Sequence, residues 1–329
     1  MTDAPGLTID QVDPQDEPAL RRWYDVLAGA ARSGRAAPLV VTWASISASL
    51  QHPGESRRRT AVAAVRGGEF VGAMLVELPL LEDLATATVE VDVPPQHRRQ
   101  GIGRALWAWA VEHLDQQGRT VVQTEVHVPD GESVRTWPGA RFAEALGFGS
   151  ENVEEHLVLP LPAHPAPVPP APGYRLVSWA GACPAEFVDA YAAMWSAMSG
   201  DVPTGGLTRE AARWDAARVR ATEARLARTY RSLATLALAA DGEPAGYTLV
   251  YADLEQPEEA LQDDTFVLPQ HRGAGLGYRL KLANLAQLDG GPRRLHTWTA
   301  TGNAPMQRVN ARFGFRLVER THEYQLILR

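Results

Sequence analysis

The stretch Pro95-Gln96-His97-Arg98-Arg99-Gln100-Gly101-Ile102-Gly103 decides the fold of this chain. It returns in altered form as Pro269-Gln270-His271-Arg272-Gly273-Ala274-Gly275-Leu276-Gly277. Both stretches share Pro-Gln-His-Arg and, after two further residues, Gly-x-Gly. The offset from residue 95 to residue 269 is 174 positions in a chain of 329. A repeat spaced by half the chain predicts two copies of one domain.

Each copy of the repeat lies between a strand pattern and a helix pattern. Residues 85–93 alternate and are rich in β-branched side chains, and residues 102–114 carry apolar side chains at helical spacing. The second copy passes in the same way from residues 263–267 to residues 276–288. A strand–glycine turn–helix unit presents unpaired backbone N–H groups at the positive end of the helix dipole. Each repeat therefore predicts a phosphate site, with glycines that allow close approach.

The spacing of the glycines limits which phosphate ligand is bound. A dinucleotide fingerprint needs a third glycine, and a nucleotide P-loop needs Gly-Lys-Ser/Thr. Neither copy contains the third glycine or the Gly-Lys-Ser/Thr sequence. What remains is Arg-x-x-Gly-x-Gly, which resembles the acyl-CoA pyrophosphate loop of the GNAT N-acetyltransferase superfamily. Glycine turns that bind no ligand are the alternative.

The order of predicted elements extends this resemblance over nearly the whole chain. Strand, two helices, three strands, loop, helix, strand, helix and strand occur twice, as in GNAT folds. The resemblance implies an α/β fold (α+β mixed sheet) of two tandem GNAT domains, similar to mycothiol synthases and to acetyltransferases of actinobacterial antibiotic clusters. We expect an N-terminal domain at residues 1–160, a proline-rich semi-rigid linker at 161–172 and a C-terminal domain at 173–329.

Four helices are predicted ahead of the loops. Their expected bounds are Asp16–Ala31, Thr42–Leu50, Pro184–Met198 and Thr208–Arg231.

The resemblance implies acetyl-CoA, or another acyl-CoA, as the bound ligand. The pantetheine arm would lie along the end of the strand before each loop, and the loop would hold the pyrophosphate. The residues implied are Val93, Arg98, Arg99, Gly101 and Gly103 in the first copy, and Val267, Arg272, Gly273, Gly275, Gly277 and Asn303 in the second.

A distal motif separates the two copies. Many GNAT domains have an Asn after the fifth strand, a Tyr seven residues later as the thiolate acid, and Gly-Phe four residues beyond. The second copy has Asn303, Asn310 and Gly314-Phe315. The first copy has Thr136, Ala143 and Gly147-Phe148. Both copies lack the tyrosine, and because the second keeps more of the motif we expect it to be catalytic, with Asn303 and Asn310 at its site.

Asp264 is the candidate general base of the second copy. It aligns with Glu90, each three residues before the arm-binding valine, and a desolvated carboxylate there would have a raised pKa. A solvated strand carboxylate is the alternative, and His296 and His322 are further candidates. In a regular strand Asp263 would face the other way.

The acceptor pocket is expected at the loop of residues 198–206. Asp201 would pair with a cationic amine and Tyr251 would wall the pocket, although a helix cap and core packing are the alternatives for them. Lys281, the sole lysine, would reach a phosphate or be exposed.

Charge and composition exclude several classes of protein. The first 160 residues carry 14 arginines and 22 acidic residues, and residues 161–329 carry 18 basic and 17 acidic ones. There is no basic face for nucleic acid. The single cysteine excludes an internal disulfide and a cysteine metal cluster, so no metal is expected. We find no apolar run long enough for a membrane span and no signal pattern, and expect a cytoplasmic protein.

These observations predict an acetyl-CoA-dependent N-acetyltransferase with a small-molecule amine as its substrate. A non-catalytic acyl-CoA-binding or sensing protein is the alternative, because both copies lack the tyrosine. An enzyme that uses another nucleotide is a more distant one. The acceptor amine and the oligomeric state are not readable from the residues.

Overall fold

The computed structural model describes residues 6–288 and 290–329. Contacts between residues divide the chain into two compact units. Unit 1 comprises the chain up to Val153 together with Thr204–Arg209 and Glu319–Arg329. Unit 2 comprises Glu154–Pro203 and Glu210–Val318.

The elements follow the same order in both sequence copies. The first copy contains β1 (Leu7–Gln11), α1 (Glu17–Arg32), α2 (Trp43–Gln51), β2 (Arg57–Arg66), β3 (Glu69–Pro79), β4 (Thr86–Asp92), α3 (Ile102–Gln116), β5 (Val121–Pro129), α4 (Pro138–Ala145) and β6 (Gly149–Pro160). The second contains β7 (Tyr174–Ala180), α5 (Val188–Asp201), α6 (Ala216–Leu226), β8 (Tyr230–Ala239), β9 (Pro244–Asp253), β10 (Glu259–Val267), α7 (Leu276–Leu285), β11 (Arg294–Ala300), α8 (Ala304–Phe313) and β12 (Arg316–Ile327).

The final strand of each sequence copy pairs with the fifth strand of the other copy. The strand order is β1-β2-β3-β4-β5-β12 in unit 1 and β7-β8-β9-β10-β11-β6 in unit 2. Glu319–Ile327 of β12 run antiparallel to β5, and residues 154–160 of β6 run antiparallel to β11. The predicted boundaries at 160 and 173 divide the chain by sequence copy, whereas the compact units exchange these strands.

A splayed strand pair lies in the middle of each sheet. In unit 1, β4 pairs in parallel with β5 only from Thr86 to Thr88. In unit 2, β10 pairs in parallel with β11 only from Glu259 to Leu261. Since the later residues of β4 and β10 form no ladder with the fifth strand, their backbone groups on that side are available to another extended chain.

One pair of helices covers each face of each sheet. Alternate residues of β2 divide between the cores of unit 1: Val62 packs with α3 and α4, whereas Ala61 and Ala63 pack with α1 and α2. In unit 2, α5 and α6 cover Tyr247, while α7 and α8 cover the other face.

The predicted helix Thr208–Arg231 is wrong over its first third and after Leu226, since β8 already begins at Tyr230. Only Ala216–Leu226 is helical, because Asp215 caps its N-terminus by accepting from Arg218 N at 2.8 Å. Residues before the cap are extended and held by side chains of α5: Ser199 Oγ accepts from Ala212 N at 2.7 Å, and Ser196 Oγ from Trp214 N at 2.9 Å. Hydrogen bonds to a neighbouring helix thus override local helix propensity.

The proline-rich stretch packs against α7. Tyr278 Oη donates to Ala166 O at 2.6 Å, and Arg279 Nε donates to Pro169 O at 2.9 Å. Ala171 is buried with Leu276 and Leu280. These contacts attach the stretch to unit 2.

Among the described residues, the structure contains no helix that is long and apolar enough to cross a membrane.

Candidate functional site

The two arginine–glycine loops share one conformation. Each begins with a single 3-10 turn, Pro95–His97 or Pro269–His271. Arg98 Nε donates to Val93 O at 2.9 Å, and Arg272 Nε donates to Val267 O at 3.0 Å. The arginine therefore fastens each loop to the end of the strand before it.

Left-handed residues turn each loop into the following helix. Gly101 and Gly275 have φ of 82° and 69° and are the N-caps of α3 and α7. Glycine suits these positions because a side chain at positive φ is strained. The first N–H groups of both helices point out of the turn without intrahelical partners. Each turn thus forms a cradle whose geometry suits an anion.

The second cradle is partly filled by an arginine of its own helix. A Cβ placed on Gly101 would meet no described atom within 4 Å, whereas one on Gly275 would lie 2.6 Å from Arg279 Nη1. Arg279 Nη1 donates to the carbonyls of Ala274 and Gly275, each at 3.1 Å. It adds positive charge at this turn.

Asp201 contacts the loop arginine of the second copy. Its Oδ2 lies 2.6 Å from Arg272 Nη2, and the two side chains are 42% and 48% exposed. Asp201 is the last residue of α5. The residue predicted to receive an amine is therefore engaged with the loop predicted to receive a phosphate.

Two adjacent carboxylates lie at the splay in unit 2. A bulge between Gln262 and Thr265 interrupts β10, so the strand is not regular there. Tyr247 Oη donates to Asp264 Oδ2 at 2.6 Å. Burial, followed by the charge of Asp263, raises the pKa of Tyr251. Because Tyr247 and Tyr251 share a face of β9, both acids are directed to the α5 side of the sheet.

Desolvation makes these acids weaker. Partial desolvation inside the splay and the neighbouring charge of Asp264 raise the pKa of Asp263, although its side chain stays accessible to solvent. Burial also raises the pKa of Asp264, although the hydrogen bond from Tyr247 lowers it. A carboxylate with a raised pKa can accept a proton near neutral pH.

Tyr251, a predicted wall of the acceptor pocket, is 9% exposed and packs in a small apolar cluster with Leu249 and Ala234. Its ring centroid lies 5.7 Å from that of Tyr230. It is therefore a packed residue that adjoins Asp263.

Unit 1 has its own carboxylate cluster at the corresponding splay. Partial desolvation in the cleft raises the pKa of Asp92, and together with the charges of neighbouring carboxylates it also raises those of Glu90 and Glu125, which remain accessible to solvent. Arg35 Nε donates to Glu319 Oε2 at 2.7 Å, and Arg209 Nη2 donates to Glu323 Oε1 at 2.7 Å.

These two arginines offset part of the negative charge, and both lower the pKa of Glu125. Residues from both sequence copies therefore build the cleft of unit 1.

Two segments of the chain, residues 21–148 and 192–315, match the Acetyltransferase (GNAT) family. The chain belongs to this family. It is an acetyltransferase with two tandem GNAT domains.

Known relatives share this tandem organisation or its fold. A mycothiol acetyltransferase of Salinispora arenicola (strain CNS-205) is 30% identical over 269 residues, covering 76% of each chain. A tandem GNAT protein from the clavulanic acid biosynthesis pathway is 31% identical with a TM-score of 0.81, covering 98% of each chain. A GCN5-related N-acetyltransferase from Sphaerobacter thermophilus, 17% identical, matches with a TM-score of 0.69 over 99% of this chain and 96% of its own.

The distal motif of the second GNAT copy is engaged in hydrogen bonds. Asn303 caps α8 by accepting from Met306 N at 3.2 Å. Asn310 is fully buried; its Oδ1 accepts from Lys281 Nζ at 2.7 Å, and its Nδ2 donates to Thr299 Oγ1 at 2.9 Å. Lys281 is 3% exposed, so it neither lies on the surface nor extends toward the cradle.

The candidate histidines have other surroundings. His296 is 1% exposed and lies between Glu259 Oε2 and His156 Nε2, each at 2.8 Å. Burial disfavours ionisation of Glu259, but hydrogen bonds from His296 and Arg294 outweigh it and hold its pKa at about 2. His322 lies on β12 and belongs to unit 1.

Among the described residues, no group of three His, Cys, Asp or Glu side chains is placed to hold a metal ion. Cys183 is buried, and its N–H donates to Glu223 Oε1 at 2.7 Å. Burial raises the pKa of its thiol to about 12.

Sequence reasoning missed three features of the GNAT sites. The bond from Tyr247 to Asp264 depends on the register of β9 with β10, where Tyr247 is opposite Phe266. The burial of Lys281 depends on the packing of α7 against α8. The place of Asp92 in the carboxylate cluster could have been predicted, because Asp92 follows Glu90 at the two-residue period of a strand and so shares its face.

Proposed function

We propose that this protein is an acetyl-CoA-dependent N-acetyltransferase that transfers the acyl group to the amine of a small molecule by direct attack on the thioester. One observation carries the proposal. In unit 2 a helix N-terminal anion cradle and two adjacent carboxylates of raised pKa border the same splayed strand pair. Phosphate binding and proton removal would therefore occur at the two ends of one extended ligand.

The residues of both cradles fit the phosphates of acyl-CoA. Unpaired N–H groups at a helix N-terminus bind anions. Gly101 leaves its turn open, whereas Arg279 adds positive charge beside Gly275. The free edge of β10 up to Val267 suits an amide-containing arm such as pantetheine, and Val93 is its counterpart in unit 1. When bound, acyl-CoA would supply an activated acyl group.

Asp264 is proposed as the base that removes a proton from the attacking amine. Its raised pKa matches the task, and Tyr247 fixes the orientation of the carboxylate. Asp263 lies beside Asp264 in sequence, and a second negative charge there would favour proton uptake by Asp264.

We assign the chemistry to the C-terminal copy, because it retains Asn303 and the Asp264–Tyr247 pair. The first cradle carries Arg98, Arg99 and the more open Gly101. We therefore propose that residues 1–160 also bind acyl-CoA, at least as a structural ligand.

The acceptor is proposed to be a small molecule. A mycothiol acetyltransferase and a protein of the clavulanic acid pathway are among the relatives, and both names refer to small-molecule metabolism. The Asp263–Asp264 pair would favour an acceptor that approaches as a cation.

A non-catalytic acyl-CoA-binding role is the second candidate, and one contact favours it. Asp201 neutralises Arg272 at the second cradle, and Asn310 replaces the expected tyrosine. Release of free thiol from acetyl-CoA in the presence of a panel of amines separates the two roles, because a sensor would release none.

Acetyl-CoA binding measured by calorimetry tests the proposal. Gly101→Glu and Gly275→Glu would each add bulk and negative charge inside one cradle. We expect two sites in the native protein and the loss of one site in each variant. Gly118→Glu is the control, because Gly118 also has a positive φ and open space but lies beyond the far end of α3.

Absence of binding in every form would reject the acyl-CoA proposal. Loss of turnover in Gly101→Glu alone would move the catalytic assignment to unit 1, with Glu90 as the candidate base.

A further inference from the structure

The sole lysine of this chain lies in an enclosed polar triad of unit 2. Lys281 projects from α7, Asn310 from α8 and Thr299 from β11, and each is 3% exposed or less. Asn310 joins the other two, at 2.7 Å from Lys281 Nζ and 2.9 Å from Thr299 Oγ1. Its amide therefore fixes the direction of the ammonium group.

Among the described residues, no carboxylate acts on the charge of Lys281, whose pKa is shifted by burial alone. Its other close contact is the ring of Phe315, whose centroid is 5.4 Å from Nζ. Burial alone lowers the pKa of Lys281 to about 7.

The other ionisable groups of the two flanking helices are Tyr278 and Arg279 on α7 and Arg308 and Arg312 on α8. Arg279 is bonded to the carbonyls of Pro169, Ala274 and Gly275, and Arg312 lies over the ring of Tyr278, 3.9 Å from its centroid.

The residue type is informative at this position. All other strongly basic residues of the chain are arginines. A guanidinium stays protonated at any physiological pH, whereas a buried ammonium can release its proton near neutrality. Burying a lysine without a carboxylate partner also lowers the stability of the fold. A residue with a purely structural role would not need to carry this cost.

One member of the triad, Thr299, lies on the splayed part of β11. Thr299 lies three residues beyond His296, the last residue of β11 paired with Leu261 of β10. Lys281 is six residues into the helix that begins at the Gly275 cap, which corresponds to about 9 Å along α7. The triad lies on the α7–α8 side of the sheet, whereas Tyr247 and Asp264 lie on the α5 side.

We propose that Lys281, oriented by Asn310, is the proton donor to the departing thiolate in unit 2. The assignment rests on the proposed function. As the amine N–C bond forms and the C–S bond breaks, a proton passes from Lys281 Nζ to sulfur. The proton of the amine passes to the Asp264 carboxylate on the other face. Lys281 is left neutral and regains its proton from solvent after the products depart.

A single lysine permits a direct test that needs no acceptor. Protein labelled with lysine enriched in carbon-13 at Cε gives one side-chain NMR signal, which we would titrate free, with CoA and with desulfo-CoA. We expect a midpoint near 7 in the free protein, against about 10.4 for an exposed lysine.

The bound thiol should change this titration. CoA should raise the lysine midpoint by one pH unit or more, because a thiolate stabilises the ammonium, whereas desulfo-CoA should not. Thiolate absorbance of bound CoA gives the reciprocal result: in Lys281→Met the thiol should ionise at a higher pH than in the native protein. Thermal unfolding of the variant checks that it is folded.

Two results would overturn the assignment and are distinguishable. If CoA binds in a manner abolished by Gly275→Glu, but CoA and desulfo-CoA shift the lysine signal equally, then Lys281 does not contact sulfur and the proposed function stands. If no CoA binds at the second cradle, the proposed function fails there and the assignment fails with it.

Discussion

The buried Lys281 should make the stability of unit 2 depend measurably on pH. Its pKa is about 7 in the folded protein and about 10.4 when exposed, so between these values the unfolded state binds more protons. Stability therefore rises as pH increases from about 7 to about 10. We compare the free energy of unfolding of Lys281→Met with that of the native protein. The difference should favour the variant by on the order of 3 kcal/mol more at pH 7 than at pH 10.

Chemical denaturation at several pH values measures this effect. The loss of the Lys281 hydrogen bond to Asn310 costs the variant stability at all pH values, so only the pH-dependent difference is diagnostic. Lys281→Met and native curves that run parallel from pH 7 to pH 10 would contradict the buried ammonium.

The pKa of Asp264 should set the pH dependence of turnover. Because it must be ionised to act as a base, we expect kcat/KM for an amine that is turned over to rise with pH through the pKa of Asp264 and then level off. Asp264→Asn should reduce kcat/KM by about 10²–10⁴ and remove this limb.

Tyr247 provides the comparison variant for Asp264. Its hydrogen bond lowers the pKa of Asp264, so Tyr247→Phe should raise that pKa and move the limb to higher pH. A limb that is unchanged in both variants would exclude Asp264 as the base and favour another group.

The ion pair between α5 and the second loop should weaken anion binding at that loop. Asp201 competes with a phosphate for Arg272. An exposed pair is worth about 1 kcal/mol at most, so Asp201→Asn should tighten acetyl-CoA binding at unit 2 up to about fivefold. Calorimetry in the Gly101→Glu background would isolate this site.

Asp130→Asn is the control for Asp201→Asn, since it removes one negative charge from a similarly exposed pair with Arg320. Added salt should reduce the gain from Asp201→Asn. Equal affinities for the two variants would show that Arg272 does not contact the ligand.

The repeated elements were predicted well, and their ends were not. Strand, glycine loop and helix follow from local patterning around Gly101 and Gly275, and the GNAT family match confirms the fold. The helix predicted to begin at Thr208 begins at Ala216, because Ser196 and Ser199 of α5 bind the preceding backbone. A hydrogen bond to another element has no signature in the local sequence.

Tyr324 tests the exchange of final strands in the whole molecule. It belongs to the second sequence copy, yet it is 1% exposed and packs in the core of unit 1 with α3 and α4. Tyr324→Ala should cost about 3 kcal/mol or more by removing a large buried side chain. Hydrogen exchange should then increase in Val121–Pro129, the paired strand β5.

Ile327→Ala is the control for Tyr324→Ala, because Ile327 lies on the same strand and is 57% exposed. It should leave exchange in β5 nearly unchanged. Increased exchange in β11 rather than β5 after Tyr324→Ala would mean that the last strand stays with its own sequence copy.

The sequence by itself determined the number of domains, their element order and the two glycine turns at the helix N-termini. It did so because a glycine at positive φ, an alternating strand and an amphipathic helix are local requirements that residues within a few positions satisfy. The same reasoning located Asp264 and Glu90, since each lies at a constant distance from a loop.

Only the tertiary structure decided which side chains meet. The bulge of β10 turns Asp264 toward Tyr247, α8 encloses Lys281, Asp201 reaches Arg272, and β12 completes the sheet of unit 1. Each of these contacts joins residues whose relative position is set by strand register or helix packing. Register and packing depend on burial summed over many residues, so no short motif encodes them.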